Sequence, residues 1–170
     1  MAVGLQRRCV SSPYVDNGGI EPHWLDDEEQ RAWRAFLQAS VRLLERLDAE
    51  LEADSGLSLA DYEILVHLSE AVDGLRMTDL AGRALVSRSG LTRRVDRLAE
   101  EGLVDRRPCL TDRRGVLAVL TEAGRDRLVA AAPGHVAGVR RHFIEALGDQ
   151  DLRILAQSLE SVRSSSEDGA

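Results

Sequence analysis

The 170-residue chain contains no lysine: all 22 of its basic residues are arginine. With its abundant Ala, Gly, Leu, Val and Asp, this composition points to a GC-rich bacterial genome. The number of arginines therefore says little, and only their placement is informative. There are two cysteines, Cys9 and Cys109, too few for a disulfide framework, and a reducing compartment would keep both as thiols. Aromatic residues make up 4% of the chain, so Leu, Val and Ala must fill its core. No apolar run approaches the roughly 18 residues that a membrane span needs. The N-terminal stretch MAVGLQRRCVSSPYVDNGG lacks the apolar segment of a secretory signal. The expectation is a cytoplasmic protein with no membrane partner. Also missing are a P-loop, a Gly-x-Ser-x-Gly elbow, a Rossmann glycine pattern and a His/Cys metal motif. His135 and His142 lie seven residues apart on one predicted helix, about 10 Å of rise and too far to share one metal directly. No enzyme activity, cofactor or metal is expected.

An apolar content of 44% suffices for one real core. Residues 1–24, with Pro13, Gly18, Gly19 and Pro22, read as a flexible arm. A long helix follows over 25–56, capped by Asp26 and ended by Ser55-Gly56, with Trp33, Phe36, Leu37, Leu43, Leu44, Leu47 and Leu51 at helical spacing. Ser58, with Asp61 three residues on, caps a second helix with stripe Leu59, Tyr62, Leu65, Leu68 and Val72. Thr78 caps a short third helix, DLAGRAL, and Ser87 a fourth. LVDRRP (103–108) and VLAVL (116–120) read as strands around a TDRRG turn (111–115). Thr121 caps a helix reaching about Leu147 and bent near Pro133. A last helix over 149–164 carries Leu152, Leu155, Leu159 and Val162, and 165–170 is a frayed tail.

The fourth helix can be read face by face. Leu91, Val95 and Leu98 point one way, toward a core; Arg88, Ser89, Thr92, Arg93 and Asp96 gather opposite. Arg97 lies at the margin of the polar face and Arg94 at the margin of the apolar one. Short hydroxyls permit close approach to a duplex, and arginine pairs bidentately with guanine. The charge is local as well. Residues 86–116 hold eight arginines against five acids, a balance of +3, which leaves −10 for the rest of a chain of net charge −7. An acidic remainder would repel DNA from every other face.

Two short helices, a tight turn and a hairpin make a winged helix-turn-helix pattern. LVDRRPCLTDRRGVLAVLTEAG resembles the wing of MarR-family transcriptional regulators: Gly102-Leu103-Val104 begins the strand, Asp112-Arg113-Arg114 forms the tip, and Leu120-Thr121-Glu122-Ala123-Gly124 follows. LSLADYEILVHL and RMTDLAGRALVSRSGLTRRVDRLAEEGLV resemble the family's helices in order and spacing, and the likeness covers about 25–163. It implies a mainly α fold with a small β-hairpin wing, four helices before the hairpin and two after, assembled as a homodimer. Residues 25–56 and 122–164 would form the dimer base and 57–121 the DNA-binding lobe. The apolar stripes of the base helices agree, being longer than one chain could cover.

By the same resemblance Ser87, Arg88, Ser89, Thr92 and Arg93 would meet the major groove or its phosphates. Arg97 would be a backbone contact or an internal ion-pair partner. Arg114 would enter the minor groove, oriented by Asp112 and assisted by Arg113; a narrow minor groove concentrates the negative potential that suits arginine. Arg106 and Arg107 stay open between strand surface and DNA contact. The implied partner is double-stranded DNA, which would be bound at a near-palindromic operator in the nucleoid. The regulator would be a repressor responsive to a small lipophilic or phenolic effector, and Trp24 and Trp33 are candidates for its cavity as well as for core or interface. Two alternatives remain at this point: a winged-helix protein–protein interaction module, or a redox sensor acting through Cys9.

Overall fold

A computed structural model describes residues 23–84, 86–109 and 112–167, excluding the side chains of 112–114, 166 and 167. The expected arm up to residue 22, with Cys9, lies outside the described residues, as do Leu85, Leu110, Thr111 and 168–170. The chain separates into two units, residues 1–36 and 37–170. Among the described residues six α-helices and three strands follow in the order α1 (Asp27–Ser55), α2 (Leu59–Ser69), β1 (Leu75–Arg76), α3 (Met77–Arg83), α4 (Arg88–Glu100), β2 (Val104–Cys109), β3 (Asp112–Leu120), α5 (Glu122–Val139) and α6 (Asp149–Glu167).

α1 starts on a reciprocal cap. The Asp26 carboxylate accepts from the Glu28 and Glu29 amides at 2.8 Å each, and Glu29 accepts from the Asp26 amide at 2.8 Å. In the first unit Trp33 stacks on Phe36 with ring centroids 6.1 Å apart, while Trp24, Leu25 and Trp33 are exposed.

In the second unit the core gathers Leu47 and Leu51 of α1, Ile64, Leu65 and Leu68 of α2, Leu80 of α3, Leu91, Val95 and Leu98 of α4, and Val104 and Ala118 of the sheet. Burying each Leu, Ile or Val of this set is worth about 1.5–3 kcal/mol, which explains how a chain poor in aromatics holds together. α2 stops at Ser69, so Val72 leaves the expected stripe and is 98% exposed.

The expected two-stranded hairpin is a three-stranded antiparallel sheet in the order β1-β3-β2. Leu75 pairs with Ala118 and Arg76 with Leu117. This pairing corrects the expected Thr78 cap: extended backbone leads straight into α3, Arg76 is its N-cap residue, and no side chain caps it. The expected 111–115 turn is also shorter than read. β3 begins at Asp112, and between Pro108 and Cys109 the partner jumps from Val116 to Asp112, so that Arg113, Arg114 and Gly115 have no ladder partner among the described residues. Proline lacks the amide that an even ladder would need there.

Thr121 Oγ1 accepts from the Gly124 amide at 3.0 Å and starts α5. Pro133 is held inside the helix, and the departure from α-helical bonding comes later, in a π-helical turn at Arg140–Ile144 closed by the Glu145 amide on the Arg140 carbonyl. That turn carries His142 onto Glu50 of α1, Nε2 to Oε1 2.8 Å. The hydrogen bond from His142, helped by Arg46 and Arg141, holds the Glu50 carboxyl below its ordinary 4.5. His135 lies against Tyr62, ring centroids 4.5 Å apart, and its Nδ1 is buried without a hydrogen-bond partner among the described residues. Burial pushes the His135 imidazole down and the Tyr62 phenol up. α6 extends through Glu167, past the expected start of the tail, with the Ser164 and Ser165 hydroxyls bonded to carbonyls one turn back. None of its residues through Ser165 is buried within one chain, and Ile154, Leu159 and Val162 are exposed.

Candidate nucleic-acid interface

The expected reading helix is α4, and its start and end follow from local chemistry. Ser87 Oγ accepts from the Gly90 amide at 3.2 Å, satisfying one of the amides that a helix start leaves without an intrahelical partner. At the far end Gly102 takes φ +74°, and the Leu103 amide returns to the Leu98 carbonyl at 2.8 Å. Leu91, Val95 and Leu98 are at most 1% exposed, as their spacing predicts. The inner face of α4 is therefore fixed in rotation, and its outer face is determined.

That outer face holds Arg88, Ser89, Thr92 and Arg93, all exposed, with Ser87 beside them. Ser87 Oγ lies 3.4 Å from Ser89 Oγ, and Thr92 Oγ1 donates back to the Arg88 carbonyl at 3.2 Å. Among the described residues neither Arg88 nor Arg93 has an ion-pair partner. A groove of about 500 Å³ along the helix is lined by Val86, Ser87, Gly90, Arg93, Arg94 and Arg97.

The other arginines of α4 and those of β2 are engaged. Asp61 of α2 is 1% exposed, the one buried charged residue among those described. Arg94 Nη1 donates to its Oδ1 at 3.1 Å and to Ser58 Oγ at 2.8 Å. Arg97 Nη2 donates to Asp61 Oδ2, and its Nε lies 3.8 Å from Glu101 Oε1. Of the two roles expected for Arg97, the internal ion pair is the one its geometry takes. Arg106 of β2 pairs with Asp96 of α4, and Arg107 pairs with its neighbour Asp105 at 2.9 Å. The sequence placed Asp61 in a capping arrangement with Ser58 and Arg94 at the margin of the apolar face, and pointed to no pairing between them. A signal was present: Asp61, Leu65 and Leu68 share one face of α2, so an acid sits in an apolar stripe.

At the wing, the backbone of Asp112, Arg113 and Arg114 lies in the irregular start of β3, and their side chains lie outside the described residues. Cys109 is buried, and His142 and His135 are turned to Glu50 and Tyr62. No described helix is long and apolar enough to cross a membrane.

A family model described as the MarR family matches residues 55–115, from the end of α1 into the wing. The HTH-type transcriptional repressor YetL of Bacillus subtilis (strain 168) is 33% identical over 112 residues, 64% of this chain and 67% of that protein. AbsC of Streptomyces coelicolor, a MarR family transcriptional regulator, is 42% identical with TM-score 0.79, covering 86% of this chain and 99% of its own. Sco3205 of the same organism, a MarR family regulator solved in complex with DNA, is 38% identical with TM-score 0.81, over 86% and 92%. These relatives are regulators rather than enzymes, and their likeness runs through both α4 and the helices around it. The chain belongs to the MarR family of transcriptional regulators.

Proposed function

We propose that the chain is a homodimeric, sequence-specific DNA-binding repressor of the bacterial cytoplasm that occupies a near-palindromic operator in the nucleoid. One observation carries this reading: the outward face of α4 presents Arg88 and Arg93 without an ion-pair partner among the described residues, beside the hydroxyls of Ser87, Ser89 and Thr92, on a helix whose rotation is fixed by three buried side chains. These five residues read the major groove and its flanking phosphates. The wing residue Arg114, with Asp112 and Arg113, reaches the neighbouring minor groove. That Sco3205 was solved in complex with DNA supports DNA as the partner, and the repressor name of YetL supports the sign.

The dimer is supported by apolar surface within the second unit. Val41 and Leu44 of α1, Val136 of α5 and Ile154, Leu159 and Val162 of α6 are all exposed in a single chain, and a second copy would cover them. Two copies of α4 then meet successive major grooves about 34–36 Å apart. A small lipophilic or phenolic effector, as the family resemblance implies, acts by changing that separation, since two lobes must match one groove period.

Selection of bound sequences from random duplex DNA tests the proposal. It predicts recovery of an inverted repeat with half-sites one helical turn apart. Recovery of unrelated sequences, or of none, contradicts it.

A further inference from the structure

We infer that Asp61 is a positioning residue for DNA recognition, which withdraws Arg94 and Arg97 from the phosphate backbone and leaves base and phosphate reading by α4 to Arg88 and Arg93. The inference rests on the DNA-binding reading above and deepens it. α4 has four arginines, and a helix that used all of them would bind any duplex strongly, because phosphate contacts carry no sequence information. Asp61 prevents this. Its carboxylate is buried at the α2–α4 contact and takes one guanidinium on each oxygen, Arg94 on Oδ1 and Arg97 on Oδ2. Ser58 completes the site: its hydroxyl donates to Asp61 Oδ2 and accepts from Arg94 Nη1 at 2.8 Å.

The Ser58 hydroxyl also accepts from the Asp61 amide at 3.2 Å, so the residue that caps α2 also holds α4. Arg97 is 52% exposed on its side chain, close to the groove that Arg93 lines. It is thus near enough to DNA to contact a phosphate if released, and a buried carboxylate with two cationic partners is what keeps it from doing so. On the opposite flank Asp96 pairs with Arg106 of β2, so α4 is tied by charge to α2 on one side and to the wing strand on the other.

The test compares the wild-type chain with Asp61→Asn and Arg97→Gln. Each is titrated, over a range of salt, against the duplex recovered by selection and against a scrambled duplex of equal length. Each phosphate neutralised contributes about 0.9 to the slope of log K on log salt, and a symmetric dimer doubles this to about 1.8 per arginine. Asp61→Asn is expected to steepen the slope on both duplexes by about 1.8 or more as Arg94 and Arg97 are released. Its preference for the selected duplex is expected to fall about tenfold, the scale of losing one base pair's readout. Arg97→Gln is expected to leave the slope as in wild type while lowering the preference, because α4 loses a tie but no phosphate contact.

A slope lowered by about 1.8 in Arg97→Gln overturns the inference, as does an unchanged slope in a folded Asp61→Asn. If Asp61→Asn fails to fold, Arg97→Gln alone decides. Failure of the wild-type chain to prefer any duplex is a different result and refutes the DNA-binding reading itself.

Discussion

Gly124 offers a prediction whose sign depends on the structure. At an unhindered helix position, replacing Gly with Ala stabilises by about 0.5–1 kcal/mol, because alanine orders at lower entropic cost. Gly124 stands in the first turn of α5, where propensity alone favours the change. A β-carbon there would overlap the Leu103 carbonyl oxygen and lie 3.0 Å from its carbon and 2.8 Å from Leu120 Cδ1. The strand start cannot withdraw independently. The Leu103 carbonyl accepts from the Thr121 amide at 3.2 Å, and Thr121 Oγ1 donates to the Gly102 carbonyl at 2.8 Å while capping Gly124. Overpacking of this kind costs about 1–3 kcal/mol, and the propensity gain offsets only part of it. Gly124→Ala should therefore lose about 1–2 kcal/mol, or about 2–8 °C in Tm for a chain of this size.

Gly82, in α3, is the control: nothing lies within 4 Å of its added β-carbon. Gly82→Ala should gain up to about 1 kcal/mol and raise Tm by about 2–4 °C. Thermal melts at one fixed protein concentration, so that dimerisation does not shift the comparison, give both values. A Gly124→Ala melt at or above wild type would refute the reasoning that the Leu-Thr-x-x-Gly segment needs glycine for close approach of α5 to the wing strand.

Two further predictions follow from charge. Burial holds the His135 imidazole below its ordinary 6.5, so the unfolded chain binds the proton more readily. The stability that neutral His135 supports is then complete above about pH 6.5 and declines as pH falls through that value toward its folded pKa; between about pH 7.5 and about pH 5.5 His135→Asn should lose less Tm than wild type, and an equal loss would contradict the assignment. The Asp96–Arg106 pair is more than a third exposed on both sides, so a double-mutant cycle by urea unfolding should return a coupling below about 1 kcal/mol. A coupling of several kcal/mol would mean that the pair is a folding element and not a surface tie.

What could be read beforehand was local. The caps at Asp26, Ser58, Ser87 and Thr121 each accept from the amides expected of them, because a capping side chain reaches only three residues. The inward face of α4 was equally clear, since burial at 3.6-residue spacing leaves a regular trace in Leu91, Val95 and Leu98. The misread features depend on distant partners. A two-residue strand such as Leu75–Arg76 has no periodicity, and only Leu117 and Ala118, some forty residues on, make it a strand. The wing tip was read as a turn because the ladder jump at Pro108 arises between strands rather than within either. Arg97 stayed open between a backbone contact and an internal ion pair, and Arg94 was placed only at the margin of the apolar face, because their partner lies 33 and 36 residues upstream on another helix.

The central claim is that Arg88 and Arg93, held outward by the buried face of α4, read the operator. The direct measurement is a fluorescence-anisotropy titration of the selected duplex with wild type and with Arg88→Gln/Arg93→Gln, each checked for an unchanged thermal melt. The account predicts that the folded double variant loses its preference for the selected over the scrambled duplex and that its salt slope falls by up to about 3.6, two contacts in each of two subunits. A folded double variant that binds the selected duplex with wild-type affinity and slope would contradict it.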